Sequence, residues 1–226
     1  MTTVLPLSEV FGPTFQGEGP HAGRRAGFVR LGLCNLSCEW CDTPYTWDST
    51  RYNVREECPD TPISEAHASL EAMDVPLVVL TGGEPLIHKT KLQELLDQRW
   101  EWHVETNGTI SPPLWWPERV THTTVSPKVG TRDPLSKRIK PYVLRQWDQL
   151  GATFKFVCRD ESDLLAADAA VAESGISPDC VWIMPEGTSA TDLLATHKAL
   201  APDILARGYN TTTRLHALLW GDERGR

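Results

Sequence analysis

The 226 residues carry 22 Lys and Arg against 30 Asp and Glu, a formal charge of −8, with no basic run, so a nucleic-acid partner is not expected. No apolar stretch approaches a membrane span, and residues 1–6 lack the basic and apolar regions of a signal peptide, which predicts a cytoplasmic protein with no membrane partner. The length suits one well-buried domain over residues 1–226, just short of a typical closed eight-fold β/α barrel.

Residues 4–11 alternate loosely and break at Gly12-Pro13, which predicts a short strand entering a loop. The loop, Thr14 to Pro20, sets two glycines around Glu18 beside Gln16 and, taken alone, reads as a glycine-rich turn. Residues 26–32 predict a strand carrying one charge, Arg30, and a half-buried arginine needs an anionic partner from the protein or from a ligand. Residues 61–73 predict a helix capped by Ser64, and residues 75–80 a strand buried on both faces that ends in Thr81-Gly82-Gly83-Glu84-Pro85. A helix over 91–100 follows, then strands at 102–105, 120–125, 152–158 and 180–184, helices at 163–173 and 192–206, and a last strand at 213–220. Strands alternating with helices imply parallel β/α units with right-handed crossovers. Nearly every strand exits into polar residues with Gly or Pro, so one functional mouth is expected at the carboxyl ends. His103 and His122, inside strands, read as satisfied core groups and receive no role.

Three thiols, Cys34, Cys38 and Cys41, fall within eight residues. Structural zinc wants four ligands, usually as two separated pairs, so the spacing favours an iron–sulfur cluster. A [4Fe-4S] cluster on three thiolates leaves one iron open to bind and reduce a small molecule. Buried thiols, or zinc borrowing a distant histidine, remain the alternative. Cys58, Cys158 and Cys180 are scattered singly, as reduced thiols are, and the last two sit in apolar runs that suggest the core.

The C-x3-C-x2-C spacing resembles the signature of radical S-adenosylmethionine (SAM) enzymes, in which SAM occupies the open iron. Thr81-Gly82-Gly83-Glu84-Pro85 resembles their SAM-methionine motif: two glycines let carbonyls approach the ammonium, and Glu84 would complete its recognition. Taken with Phe15-Gln16-Gly17-Glu18-Gly19, Arg30, the Cys34 to Asp48 stretch, Glu105 to Gly108, Ser126-Pro127-Lys128 and the His216 region, the chain resembles the 7-carboxy-7-deazaguanine synthase family of the queuosine and other 7-deazapurine pathways.

That resemblance implies an incomplete, shortened parallel β/α barrel and a carbon–nitrogen lyase acting on 6-carboxy-5,6,7,8-tetrahydropterin. It implies a [4Fe-4S] cluster, SAM and Mg2+, a homodimer, and an electron donor such as flavodoxin. Phe15, Gln16, Gly17, Arg30 and Thr81 would contact substrate, with Glu18 and Arg30 catalytic and Thr43 on Mg2+. Trp40, Asp42, Gly83, Glu84, Ser126, Pro127, Lys128, Met184, Pro185, Glu186 and Gly187 would line SAM. Which residue of the tail, 218–226, meets the substrate is left open. Two rivals stand beside this reading: a radical SAM activase of a partner protein, and a non-catalytic iron–sulfur or zinc module.

Overall fold

The computed structural model describes residues 2–221 and 223–225. Met1, Asp222 and Arg226, which fall in the N-terminal stretch and the tail read above, lie outside the described residues. Nine strands form one sheet among those described: β1 (Val4–Phe15), β2 (Arg25–Leu31), β3 (Asp60–Pro62), β4 (Leu77–Gly82), β5 (Glu101–Thr106), β6 (His122–Val125), β7 (Thr153–Cys158), β8 (Val181–Pro185) and β9 (Asn210–Thr211). Their order is β3-β1-β2-β4-β5-β6-β7-β8-β9. From β2 to β9 every neighbouring pair is parallel, whereas β1 runs antiparallel to both β2 and β3. The two outer strands, β3 and β9, do not pair with each other, so the barrel is incomplete, as expected.

The helices are α1 (Val54–Glu57), α2 (Ile63–Met73), α3 (Lys89–Leu95), α4 (Leu135–Arg138), α5 (Pro141–Gln149), α6 (Glu161–Ser174), α7 (Ala190–Ala206) and α8 (Leu215–Trp220). Strand alternation sorts side chains between the helix layer and the concave face. Trp102 and Val104 of β5, like Phe154 and Phe156 of β7, are fully buried in the main apolar core with Leu92 and Leu95 of α3 and Leu144 and Trp147 of α5. Glu105, next to Val104, and Lys155, between Phe154 and Phe156, face the other way and line a cavity. Local signals fix the longer helices. Asp160 caps α6 by accepting from the Asp163 N–H at 3.1 Å, and Gly175 ends it at φ 68°.

Besides the short β3, β9, α1 and α4, which the sequence reading does not foresee, the structure departs from the expected elements in five places. First, β1 continues through Gly12-Pro13 to Phe15, because beyond Pro6 it has no partner strand on its β3 side among the described residues and absorbs the break as a register shift against β2 between Phe11 and Thr14. Second, Pro62, not Ser64, occupies the N-cap of α2 and makes no side-chain cap bond. Third, α5 has no counterpart in the sequence reading, although Pro141 at its first position and buried Val143, Leu144 and Trp147 mark it. Fourth, residues 215–220 are helical, not a strand; Leu and Ala dominate them, no β-branched residue occurs, and the sheet already ends at β9. Fifth, Cys158 is buried as expected, whereas Cys180 is half-buried at a turn.

Candidate active site

The carboxyl ends of the parallel strands open into one cavity of about 590 Å3. Arg30 reaches it from β2, Thr81 and Gly82 from β4, Glu105 from β5, Lys155 and Val157 from β7, and Met184 from β8. Ser126, Lys128, Glu186 and Thr188 come from the loops just beyond their strands. The β1–β2 connection adds Gln16, Gly17 and Glu18, and α8 turns His216 and Ala217 inward. Phe15 ends β1 on the same wall, its ring 6.2 Å from that of Trp220 and nearly parallel to it.

Cys41 lies on the cavity wall; Cys34 and Cys38 are packed behind it. Their loop is pinned at several points. Asn35 donates to Thr109 Oγ1 at 2.8 Å and accepts from Asn107 Nδ2 at 2.9 Å; the Ser37 N–H reaches Asp133 at 2.6 Å, and Trp40 Nε1 donates to the Gly130 carbonyl at 3.2 Å. N–H groups also point at sulfur, Leu36 at Cys34 (3.4 Å) and Trp47 Nε1 at Cys41 (3.3 Å). Burial pushes the Cys34 thiol up to about 12, and Cys38 and Cys41 nearby add to the rise. Bound iron offsets both effects, and N–H···S bonds favour the thiolate, so these residues fit a cluster on three ligands. Cys58, Cys158 and Cys180 take no part in the cavity lining.

The two glycines of the Thr81 to Pro85 turn are required by the sheet itself. A Cβ on Gly82, which sits at φ +141°, would collide with the Leu31 backbone, and one on Gly83 with the Leu33 carbonyl. They let the exit of β2 lie directly against that of β4, and both also line the cavity.

Glu84 departs from the sequence reading. Fully buried and outside the cavity lining, it accepts from the Leu86 N–H (2.9 Å), Thr106 Oγ1 (2.8 Å) and the Asn107 N–H (2.6 Å). Burial raises its pKa although these donors pull the other way. Its carboxylate braces the exit of β4 to that of β5 behind the cavity lining. Pro127, Pro185 and Gly187 also stand behind the lining, and Gly187 accepts from Arg214 Nη1 at 3.0 Å. The remaining expected SAM residues, Trp40, Asp42, Gly83, Ser126, Lys128, Met184 and Glu186, line the cavity together with Thr43. Lys128 donates to Ser126 Oγ at 2.9 Å and lies 5.7 Å from the Trp40 ring centre.

On the opposite wall a chain of charge runs from buried Lys155 through Glu18 and Arg214 to Asp42, whose side chain is exposed. Lys155 Nζ is paired with Glu18 Oε2; Arg214 Nε is 3.2 Å from Glu18 Oε1 and its Nη2 2.5 Å from Asp42. His216 Nε2 is 3.9 Å from the same Glu18 oxygen. Burial alone would raise the Glu18 pKa, but Lys155, Arg214 and His216 hold it far below the usual carboxylate range. Burial lowers the His216 pKa, although the Glu18 carboxylate pulls the other way. Next to this chain Glu105 accepts from Thr81 Oγ1 (2.9 Å) and Gln16 Nε2 (3.2 Å).

Arg30 has its anionic partner inside the protein: Nε donates to Glu9 Oε1 at 2.6 Å. Sequence reasoning missed Glu9, Lys155 and Arg214. Lys155 had a readable signal, a single charge between two phenylalanines of a strand, the same logic that marked Arg30. As a whole the wall offers carboxylates to N–H donors, a guanidinium to a carboxylate, and aromatic faces to a flat ring.

A family described as a 4Fe-4S single cluster domain matches residues 15–110. The 7-carboxy-7-deazaguanine synthases of Halobacterium salinarum and Hyperthermus butylicus are 33% and 34% identical, over 96% and 97% of this chain and 91% and 94% of their own. That of Pyrobaculum aerophilum is 34% identical over 100% of this chain and 99% of its own. The crystal structure of QueE from Escherichia coli shares the fold, with a TM-score of 0.71 at 24% identity, covering 94% of this chain and 95% of that one.

Relatives identical at about a third of positions over nearly the whole chain, with a 4Fe-4S family matched across the three thiols, define the class: a radical SAM enzyme, working with a [4Fe-4S] cluster and SAM. At this identity over nearly its whole length, the chain belongs to the 7-carboxy-7-deazaguanine synthase family.

Proposed function

We propose that the cavity takes 6-carboxy-5,6,7,8-tetrahydropterin to 7-carboxy-7-deazaguanine with release of ammonia, in the queuosine and related 7-deazapurine pathways, and that the residues described above divide the work as follows. The observation that supports this most is Arg30. Its only hydrogen bond among the described residues leaves from Nε, so both terminal amines of a cavity-lining guanidinium are uncommitted, the end that grips a carboxylate with two parallel bonds.

Cys34, Cys38 and Cys41 hold the cluster, and Trp40, Asp42, Gly83, Ser126, Lys128, Met184 and Glu186 hold SAM; Pro127, Pro185 and Gly187 shape the loops from behind. Glu84 braces that wall. When bound, the cluster and SAM supply one-electron chemistry able to remove hydrogen from an unactivated carbon. The protein's share is to hold that carbon in place and to exclude water. Glu105, Gln16 and Thr81 meet the polar edge of the ring, while Phe15 and Gly17 bound its face. Lys155 and Glu18 keep a proton within the cavity for the departing nitrogen, which leaves more readily once protonated.

Thr43 supplies a hard oxygen suited to Mg2+, its hydroxyl 3.7 Å from Cys41 Sγ. Among the described residues no three His, Cys, Asp or Glu side chains stand ready to hold a single metal ion. Mg2+ would therefore draw its other ligands from substrate and water, as this cation commonly does. The same reading carries with it a homodimer, an electron donor such as flavodoxin, and a cytoplasmic setting, supported by the family resemblance.

Arg30→Lys tests the assignment. Losing a desolvated two-point contact typically costs about 2–5 kcal/mol, so the affinity for the carboxypterin should fall by at least about tenfold. The cluster absorbance and SAM binding should persist. Unaltered substrate affinity would contradict the reading.

A further inference from the structure

Glu9 serves two arginines. Its Oε1 accepts from Arg30 Nε at 2.6 Å and from the Tyr45 hydroxyl at 3.2 Å, while its Oε2 stands 3.5 Å from Arg224 Nε. Arg224 comes from the segment after α8 and is held on several sides. Its guanidinium lies 4.0 Å over the Tyr45 ring; Nη1 donates to Glu57 at 3.1 Å and Nη2 to Ser8 Oγ at 3.2 Å. Glu9, Arg30, Tyr45 and Arg224 all line the cavity. Burial pushes the Tyr45 hydroxyl up to about 12, so it remains a neutral donor to Glu9.

The charge count at this wall changes when a substrate carboxylate arrives. Before binding, the Glu9 carboxylate faces the Arg30 guanidinium. A carboxylate docking on the terminal amines of Arg30 puts two negative groups on one cation, and they repel each other at close range in a partly desolvated site. A second cation on the far oxygen of Glu9 offsets that repulsion and keeps Glu9 on the Nε edge, so that the terminal amines stay turned to the substrate. Arg224 is that cation.

We propose that Arg224 is a positioning residue for the substrate carboxylate, acting through Glu9 on Arg30. The inference rests on the reading of Arg30 as the group that receives this carboxylate. It assigns a substrate-side task to a residue that neither the cysteine motif nor the strand ends would select.

The test is equilibrium binding of 6-carboxytetrahydropterin to the cluster-loaded enzyme with reductant omitted, beside steady-state kinetics. Arg224→Gln should weaken substrate binding about fivefold, the scale of one partly exposed charge contact, and raise KM with kcat nearly unchanged. Arg224→Lys should restore most of the affinity. A pterin lacking the carboxylate should bind the wild type and Arg224→Gln alike, and SAM affinity should not move. In a Glu9→Gln background, where no second cation is needed, Arg224→Gln should have little further effect.

Equal substrate affinity in Arg224→Gln and the wild type would overturn the proposal. So would an equal loss for the carboxylate-free pterin, a loss of SAM binding, or an undiminished effect in the Glu9→Gln background. If Arg30→Lys weakens binding and Arg224→Gln does not, this inference fails alone; if neither does, the reading of Arg30 falls and takes the inference with it.

Discussion

The two ends of the parallel sheet bury polar groups by opposite means. At the mouth, Lys155, Glu18 and Arg214 form a chain of full charges that meets the surface at Asp42. At the floor, where the strands begin, three imidazoles pack together: His21 lies 4.4 Å from both His103 and His122, centre to centre, and those two rings are 5.2 Å apart. Burial lowers the pKa of all three, and Glu101, tied to Arg24 at 2.6 Å, also stands 3.0 Å from His103 Nε2. A buried ion chain is a poor source of stability, since well-packed apolar residues often do as well. Its place at the mouth is explained by what enters there, whereas the floor needs only to fill space and keep its donors satisfied.

The comparison breaks most visibly at the thiols. Replacing Cys34, Cys38 or Cys41 by Ala should abolish a four-iron cluster and all turnover while the fold survives. Iron and sulfide analysis with circular dichroism would report it, and four irons per chain retained in any of the three variants would refute the mouth's assignment.

Next in size is Glu18→Gln, which strands the buried Lys155 ammonium and should cost about 3–5 kcal/mol in urea unfolding. Glu18→Gln combined with Lys155→Met should regain much of that stability without regaining activity. An active double variant would mean that the charges are scaffolding only.

The smallest effect belongs to the floor. Burial, helped by His21 and His103, holds the His122 pKa at about 4 against an ordinary 6.5. Between those values the unfolded chain binds more protons than the folded one, so this contribution is complete above pH 6.5 and is lost as pH falls toward 4. Glu101, held at about 2 chiefly by its bond from Arg24, loses its contribution only in stronger acid, as does Glu18. His122→Gln should therefore flatten the fall in melting temperature between pH 6.5 and 4. An unchanged slope would show that the ring titrates normally.

What was legible in the sequence was the chemistry carried by contiguous residues. Cys34 to Cys41, the Phe15 to Gly19 loop and the Thr81 to Pro85 turn each announce themselves because a ligand is met by one short loop. Direction within such a loop is harder to read. Spacing does not tell whether a side chain lines the cavity or stands behind its wall, and Glu84 stands behind. Residues brought together by the fold were mostly silent: Lys155 is one position in a strand, and Arg214 and His216 depend on a helix where a strand was expected. Glu9 and Arg224 meet from opposite parts of the chain, side by side at Tyr45.

The central claim is that this mouth runs a radical reaction on the carboxypterin with SAM returned intact. It is tested most directly with substrate deuterated at C6, reductant and SAM, followed by mass analysis of recovered SAM. The account predicts deuterium in that SAM and many products per SAM consumed. One 5′-deoxyadenosine per product, with no label returned to SAM, would contradict it.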